Sequence, residues 1–190
     1  MFNDLSSPAS LVASRRSAKP RDLVAPGPDA AQLRRILAAA MRVPDHGKLA
    51  PWRLVVIGAD RRDAFAALLK QCYRADKPDA APRELEALDQ FAHQAPVLVA
   101  LLSTPAPASA IPLWEQELSA GAAGMMLLTA AHAEGFAGGW LTGWPSYGPG
   151  VAEGLGHPGA RIAGYFFLGT PARPLEERPR PDYDAIVSHF

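Results

Sequence analysis

Residues 118 to 133 read LSAGAAGMMLLTAAHA, a stretch that is apolar or small nearly all the way round a helical wheel. A helix with one apolar stripe can lie on a surface, but a helix apolar on every side has to be enclosed. The run is short for a membrane span, so the enclosure has to come from protein. The pattern predicts one long helix from Ile111 to Glu134, ended by Gly135. Gly121, Ala122 and Gly124 let another backbone come close. A chain of 190 residues is long enough to build a sizeable core around such a helix.

Three apolar runs are candidates for the enclosing sheet. Trp52 to Ile57 is nearly continuous and predicts a strand buried on both faces. PVLVALL at 96–102 predicts a second buried strand, and IAGYFFLG at 162–169 a third. GGWLTG suggests a short strand or turn. A short helix is expected over Pro8–Ser14 and a firm one over GPDAAQLRRILAAAMRV. In the latter, Asp29 and Gln32 have capping-box spacing, and Leu33, Ile36, Leu37, Ala40 and Met41 form one face. Pro44 stops it. Asp60 can cap a helix carrying Phe65, Leu68, Leu69 and Cys72. Further helices are expected over Pro82–Gln90 and, briefly, Val151–Leu155. Prolines at 171, 174, 179 and 181 predict an extended tail, whose end, AIVSHF, is apolar enough to dock. With no repeat and no linker, residues 1–190 read as one domain with an extended tail at 171–190. Helices and strands mix without strict βαβ alternation, so the class is α+β.

Several functions are disfavoured. Nineteen Lys and Arg balance nineteen Asp and Glu, so there is no basic surplus for nucleic acid. Hydrophobic residues at 48% and charged residues at 20% are those of a soluble globular protein, and no membrane role is expected. Cys72 is the only cysteine, and residues 1–14 lack a signal-peptide pattern, which together suggest a cytoplasmic protein. There is no phosphate loop. GFAGGW is not G-x-G-x-x-G and follows a helix, and Ser146 in WPSYG has the wrong spacing for a nucleophile elbow. Histidines 46, 93, 132, 157 and 189 do not fall at metal-ligand spacing, so no metal site is expected. His93, His132 and His157 read as satisfied or surface residues, and Glu84 and Glu86 as a solvated helix face. With no self-contained catalytic set, a reaction here would rely on a cofactor.

Four short segments remain. SRRSAKP offers Arg forks and a serine hydroxyl suited to phosphate, or simply a solubilising helix end. MRVPDHGKLAPW sets two prolines and Gly47 among Arg42, Asp45, His46 and Lys48. It is either a rigid wall for a planar ligand or a rigid connection in which Asp45 satisfies a buried His46. WEQELSAG opens the long helix. GFAGGWLTG supplies glycines for close backbone approach and Trp140 as an aromatic wall.

RRSAKP, MRVPDHGKLAPWRLVVI, WEQELSAGAAGMM, GFAGGWLTG and YFFLGTP, in this order, closely resemble the FMN-dependent nitroreductase family, in its small branch. The resemblance runs from about Ser14 to Thr170 and fades at the N-terminus and over Ala75–Glu86. It implies an α+β homodimer with a central mixed sheet flanked by helices, the long helix in the dimer core, and FMN at the subunit interface. By resemblance, Arg15 and Ser17 hold the FMN phosphate, with Arg16 on the ribityl and ring side. Arg42 and His46 contact the flavin, with Pro44 and Asp45 lining the ring. Trp140, Leu141 and Thr142 contact it from the partner subunit. No side chain is implied to be catalytic, because flavin N5 carries the chemistry. The implied reaction is ping-pong, with NAD(P)H as co-substrate and a nitroaromatic or quinone-type small molecule as acceptor. A cation near the flavin N1–O2 edge would favour reduction, and Arg42 and Arg16 are the candidates. The alternatives are another flavin-dependent reduction on the same fold, or a protein that binds and stores FMN without turnover. A basic phosphate ligand in the tail could be Arg173, Arg178 or Arg180.

Overall fold

The computed structural model describes residues 3–190. Its helices are α1 (Pro8–Ser14), α2 (Ala30–Ala40), α3 (Arg62–Asp76), α4 (Pro82–His93), α5 (Leu113–Ala133), α6 (Trp144–Tyr147), α7 (Val151–Gly154) and α8 (Tyr183–Ile186). Its strands are β1 (Leu23–Val24), β2 (Trp52–Ile57), β3 (Val97–Ser103), β4 (Ala137–Leu141) and β5 (Arg161–Pro171). Among the described residues no helix is long and apolar enough to cross a membrane, and no acid, His and Cys cluster could hold a metal ion.

The sheet runs β1-β5-β3-β2, with β4 also paired to β5. Side chains alternate across it. Leu98, Ala100, Leu102, Tyr165 and Phe167 face Phe65, Leu69 and Leu88 of α3 and α4. Val99, Leu101, Phe166 and Leu168 face Ile36 and Ala40 of α2 and Ala123 and Leu127 of α5. A central sheet therefore separates two helical layers, and the α+β expectation holds.

Three expectations need correcting. The named strands pair only in antiparallel fashion, and the one parallel pairing is the isolated bridge between Ser17 and Gly138. The connections explain why the sheet is not mixed. Two helices separate β2 from β3 and return the chain to the end it left, so that Leu98 starts beside Ile57. One helix joins β3 to β4, which run the same way, but β5 lies between them. Second, β2 is not buried on both faces. It is the sheet's outer strand, and Val56 is exposed. Third, Asp60 does not cap α3, which instead follows a tight turn over Ala59–Arg61.

The capping box of α2 forms as expected: Asp29 accepts from Gln32 N at 2.8 Å, and the Gln32 side chain accepts from Asp29 N at 3.0 Å. The α5 helix is covered by the sheet and α2 on one side only. Trp114, Leu118 and Met125 remain exposed, a stripe at helical spacing with Gly121 and Ala122 between them. Its apolar circumference is thus only half enclosed by its own chain. The tail is extended as expected over 174–182 but then turns into the short helix α8, and its end is exposed at Tyr183, Ile186 and Phe190, so it docks on nothing among the described residues.

Candidate functional site

The two ends of α5 hold the two sets of expected site residues. Near its N-terminal end, Ser119 Oγ donates to the Pro44 carbonyl at 2.7 Å. His46 Nδ1 faces Glu115 at 2.8 Å, and the His46 side chain is largely exposed. The Asp45 carboxylate accepts from Leu49 N at 3.1 Å and Ala50 N at 2.8 Å. Those two bonds hold a loop in which Lys48 and Ala50, as well as Gly47, have positive φ. The rigidity comes from Asp45 gripping the backbone, and the idea of a buried His46 satisfied by Asp45 is not what the structure has. Arg42 and Pro44 are exposed.

At the C-terminal end, the buried His132 reaches the Arg16 carbonyl at 3.0 Å. Ala18 N donates to the Gly138 carbonyl at 2.9 Å, beside the Ser17–Gly138 bridge. A Cβ on Gly139 would sit 2.5 Å from the Ala18 carbonyl, so the glycines do serve close backbone approach, here of the chain's own segment. This stitching brings 15–17 and 140–141 together around one cavity of about 580 Å³. Arg15, Ser17, Lys19, Arg21 and Arg178 line it, and Trp140, Leu141 and Met125 supply an apolar wall. Trp140 is fixed by its indole N–H donating to the Ala163 carbonyl at 3.1 Å and by packing on Phe166. Trp140 and Leu141 line this cavity from the same chain as Arg15 and Ser17, whereas they were expected from the partner. Thr142 is exposed and off the wall.

Arg16 is beside the cavity without lining it. Its guanidinium pairs with Glu177 and donates to the Ala13 and Arg15 carbonyls, so it is not turned toward a ring in the cavity. Glu177 also pairs with Arg180, and Asp22 pairs with Arg173. Arg16 and Arg180 thus share one carboxylate and keep a net positive charge between them, Arg173 has its own partner, and Arg178 reaches the cavity wall. Burial, and then the charges of Arg180, Arg16 and Arg178, pull the Arg15 pKa below its usual value, against Glu177. A guanidinium destabilised by like neighbours is a site poised for an anion.

Lys19, Arg21 and Arg178 were not among the assigned residues. A signal for Arg178 exists in the sequence: Arg173, Arg178 and Arg180 each precede a proline, which restricts the backbone of the arginine to extended conformations. Choosing among the three requires the path of the tail.

The donor set suits a planar ligand bearing a phosphate monoester. Such a group carries close to two negative charges and accepts several charge-assisted bonds. The volume lies within the usual range of small-molecule sites.

The fold is α+β with a cationic, aromatic-walled cavity, and comparison with known proteins gives its family. The nitroreductase family model matches residues 12–170, and the chain belongs to the nitroreductase family. It is 36% identical over 182 residues to the Escherichia coli (strain K12) protein named "Putative NAD(P)H nitroreductase YdjA", covering 95% of this chain and 97% of that one. Among solved structures, a nitroreductase-like family protein from Bacillus cereus superposes with a TM-score of 0.82 at 20% identity, over 97% of this chain and 96% of that one. A variant of NfnB from Sphigopyxis sp. strain HMH, described as an FMN and NADPH-dependent nitroreductase, superposes with a TM-score of 0.72 at 20% identity, over 96% and 98% of the two chains.

Proposed function

We propose that this chain is an FMN-dependent NAD(P)H oxidoreductase acting as a homodimer on nitroaromatic or quinone-type acceptors. The observation that carries the reading is the cationic, Trp-walled cavity between 15–17 and 140–141, in a chain of this family. Arg15, Ser17 and Arg178 would hold the phosphate, and Lys19 and Arg21 extend the positive field. Trp140, Leu141 and Met125 would flank the ring and exclude water from it. Bound there, FMN would supply two-electron transfer through N5, oxidising NAD(P)H in one half-reaction and reducing the acceptor in the next. The rest of the work is positioning and electrostatics.

Chain geometry supports the homodimer. Ser119 and His132 stand thirteen positions apart on α5, and at about 1.5 Å per residue their anchored segments are separated by about 20 Å along the axis. The loop 42–46 is therefore anchored far along α5 from the Arg15–Ser17 end of the cavity of its own chain. A second copy docked through the exposed Trp114–Leu118–Met125 stripe would bring its own loop to that cavity, and two-fold symmetry would complete two sites. In that arrangement Arg42, Pro44, Asp45 and His46 serve the cavity of the other copy, and Arg42 remains the candidate cation for the flavin edge.

The test is the visible spectrum of the purified protein, identification of its chromophore, and NADH and NADPH oxidation with added acceptors, alongside sedimentation. About one FMN per chain in a dimer that turns over is the expected result. A colourless protein that takes up no added FMN would overturn it.

A further inference from the structure

His132 is fully buried in the last turn of α5, and both of its ring nitrogens face backbone carbonyls. Nδ1 lies 2.7 Å from the Leu128 oxygen and Nε2 lies 3.0 Å from the Arg16 oxygen. A neutral imidazole carries one N–H and can donate to only one of them, whereas an imidazolium donates to both. The second acceptor is the carbonyl between Arg15 and Ser17, two residues that line the cavity.

The surroundings set two opposed pulls. Burial pushes the His132 pKa below its ordinary value, the two carbonyl contacts oppose it, and the Arg15 charge adds a smaller push downward. The Arg16 guanidinium is turned to Glu177. Glu134, two residues further on, is held by Arg35 of α2, and the Asn3 amide donates to the carbonyl of His132 itself. The carbonyl-rich end of α5 favours a cation at this position. In the free chain, then, the Arg15 charge is a specific opponent of the imidazolium, and an anion beside Arg15 removes that opposition.

We propose that His132 is a positioning residue for segment 15–17 that takes up a proton when an anionic cofactor binds beside Arg15, so that cofactor retention is proton-linked. This deepens the reading above and rests on it. The imidazolium ties the Arg16 carbonyl to α5 and so fixes Arg15 and Ser17 on the cavity wall. The sign follows from linkage. A pKa higher in the bound than in the free chain gives no advantage above the bound value. The advantage grows as pH falls between the two and is complete below the free value.

The experiment measures FMN affinity by flavin fluorescence for the wild type and His132→Gln from pH 8.5 to pH 5.5, and reads the dissociation constant of the variant divided by that of the wild type. The second ionisation of the FMN phosphate affects both proteins alike and cancels in the ratio. The expected result is a ratio that rises by about tenfold toward low pH, equivalent to about one pKa unit of coupling. A ratio constant with pH, as a merely structural histidine would give, overturns the proposal. Nitrogen-15 NMR of the wild-type ring covers a variant that fails to fold. Two protonated ring nitrogens in the FMN complex at pH 5.5 are expected, and a neutral ring there overturns the proposal. A protein that binds no FMN at any pH removes the cofactor reading itself. Inorganic phosphate titrated into the same NMR sample then decides the proton linkage, which needs only an anion beside Arg15.

Discussion

The hydroxyl of Ser119 donates to the carbonyl oxygen of Pro44 across 2.7 Å, while accepting the indole N–H of Trp52 at 3.2 Å. One buried oxygen thus joins α5, the 42–46 loop and the start of β2. In Ser119→Ala a buried indole N–H and a carbonyl lose their partner, which costs about 1–3 kcal/mol. Urea unfolding is expected to show that loss, with turnover falling as the loop loses its anchor. An unchanged midpoint would mean that water replaces the hydroxyl without penalty.

Gly139→Ala drives a methyl group to 2.5 Å from the Ala18 carbonyl. Neither partner is a flexible side-chain tip, so β4 and the 15–18 segment have to separate. The expected outcome is a folded protein whose flavin-to-protein ratio falls well below that of the wild type, read from the absorbance spectrum after gel filtration.

Arg178→Ala removes a cation from the cavity wall. Hydrogen bonds to charged groups are worth about 1.5–3 kcal/mol, so FMN should bind about 10–100-fold more weakly. Arg173→Ala, which loses only a pairing with Asp22, should change affinity far less. Equal losses in a titration of the two variants would mean that the tail acts as a whole and not through Arg178.

Glu84 joins the ends of the α3–α4 hairpin. Hydrogen bonds from Lys77, then Tyr73, then Ala81 N lower its pKa to about 2. A depressed carboxylate contributes stability above its unfolded value, near 4.5, and loses it as pH falls through the folded value. Glu84→Gln should therefore lower stability at neutral pH and flatten the decline between pH 4.5 and pH 2. Thermal melts at a series of pH values measure both effects.

Arg62 is buried among the carbonyls of Ile57, Ala92, Gln94, Ala95 and Pro96 and takes no carboxylate. Its planar fork reaches acceptors at the end of β2 and at the end of α4 together. A lysine concentrates its donors on one atom and cannot span them. Arg62→Lys should be nearly as destabilising as Arg62→Met in denaturant melts, without altering how flavin binds to the folded fraction.

Local patterns made much of the fold legible. The α2 capping box and the apolar runs of β3 and β5 are written in neighbouring residues. The edge position of β2 is not, because an apolar run reads the same whether one strand or two flank it. β1 has two residues and exists only by pairing with β5. Nothing local marks Arg62, since its acceptors lie up to 34 positions away. At the site, the segments at 15–17, 42–46 and 140–142 could be picked out by resemblance. Which of them share a wall depended on the bridge between Ser17 and Gly138, a contact of distant residues with no local signal. The sequence reads His132 as a satisfied or surface residue, and its burial between two carbonyls is what the sequence could not supply.

The span of α5 between Ser119 and His132 has a genetic consequence. In the proposed dimer, a lesion at Arg15 and a lesion at Arg42 would damage opposite halves of one site. Paired in one heterodimer, an Arg15→Ala chain and an Arg42→Ala chain would put both lesions into one site and leave the other whole. Coexpression of two dead alleles should then restore activity, to about a quarter of wild-type sites if chains mix at random in a two-fold dimer. Two alleles damaged at the same end of the helix should never complement.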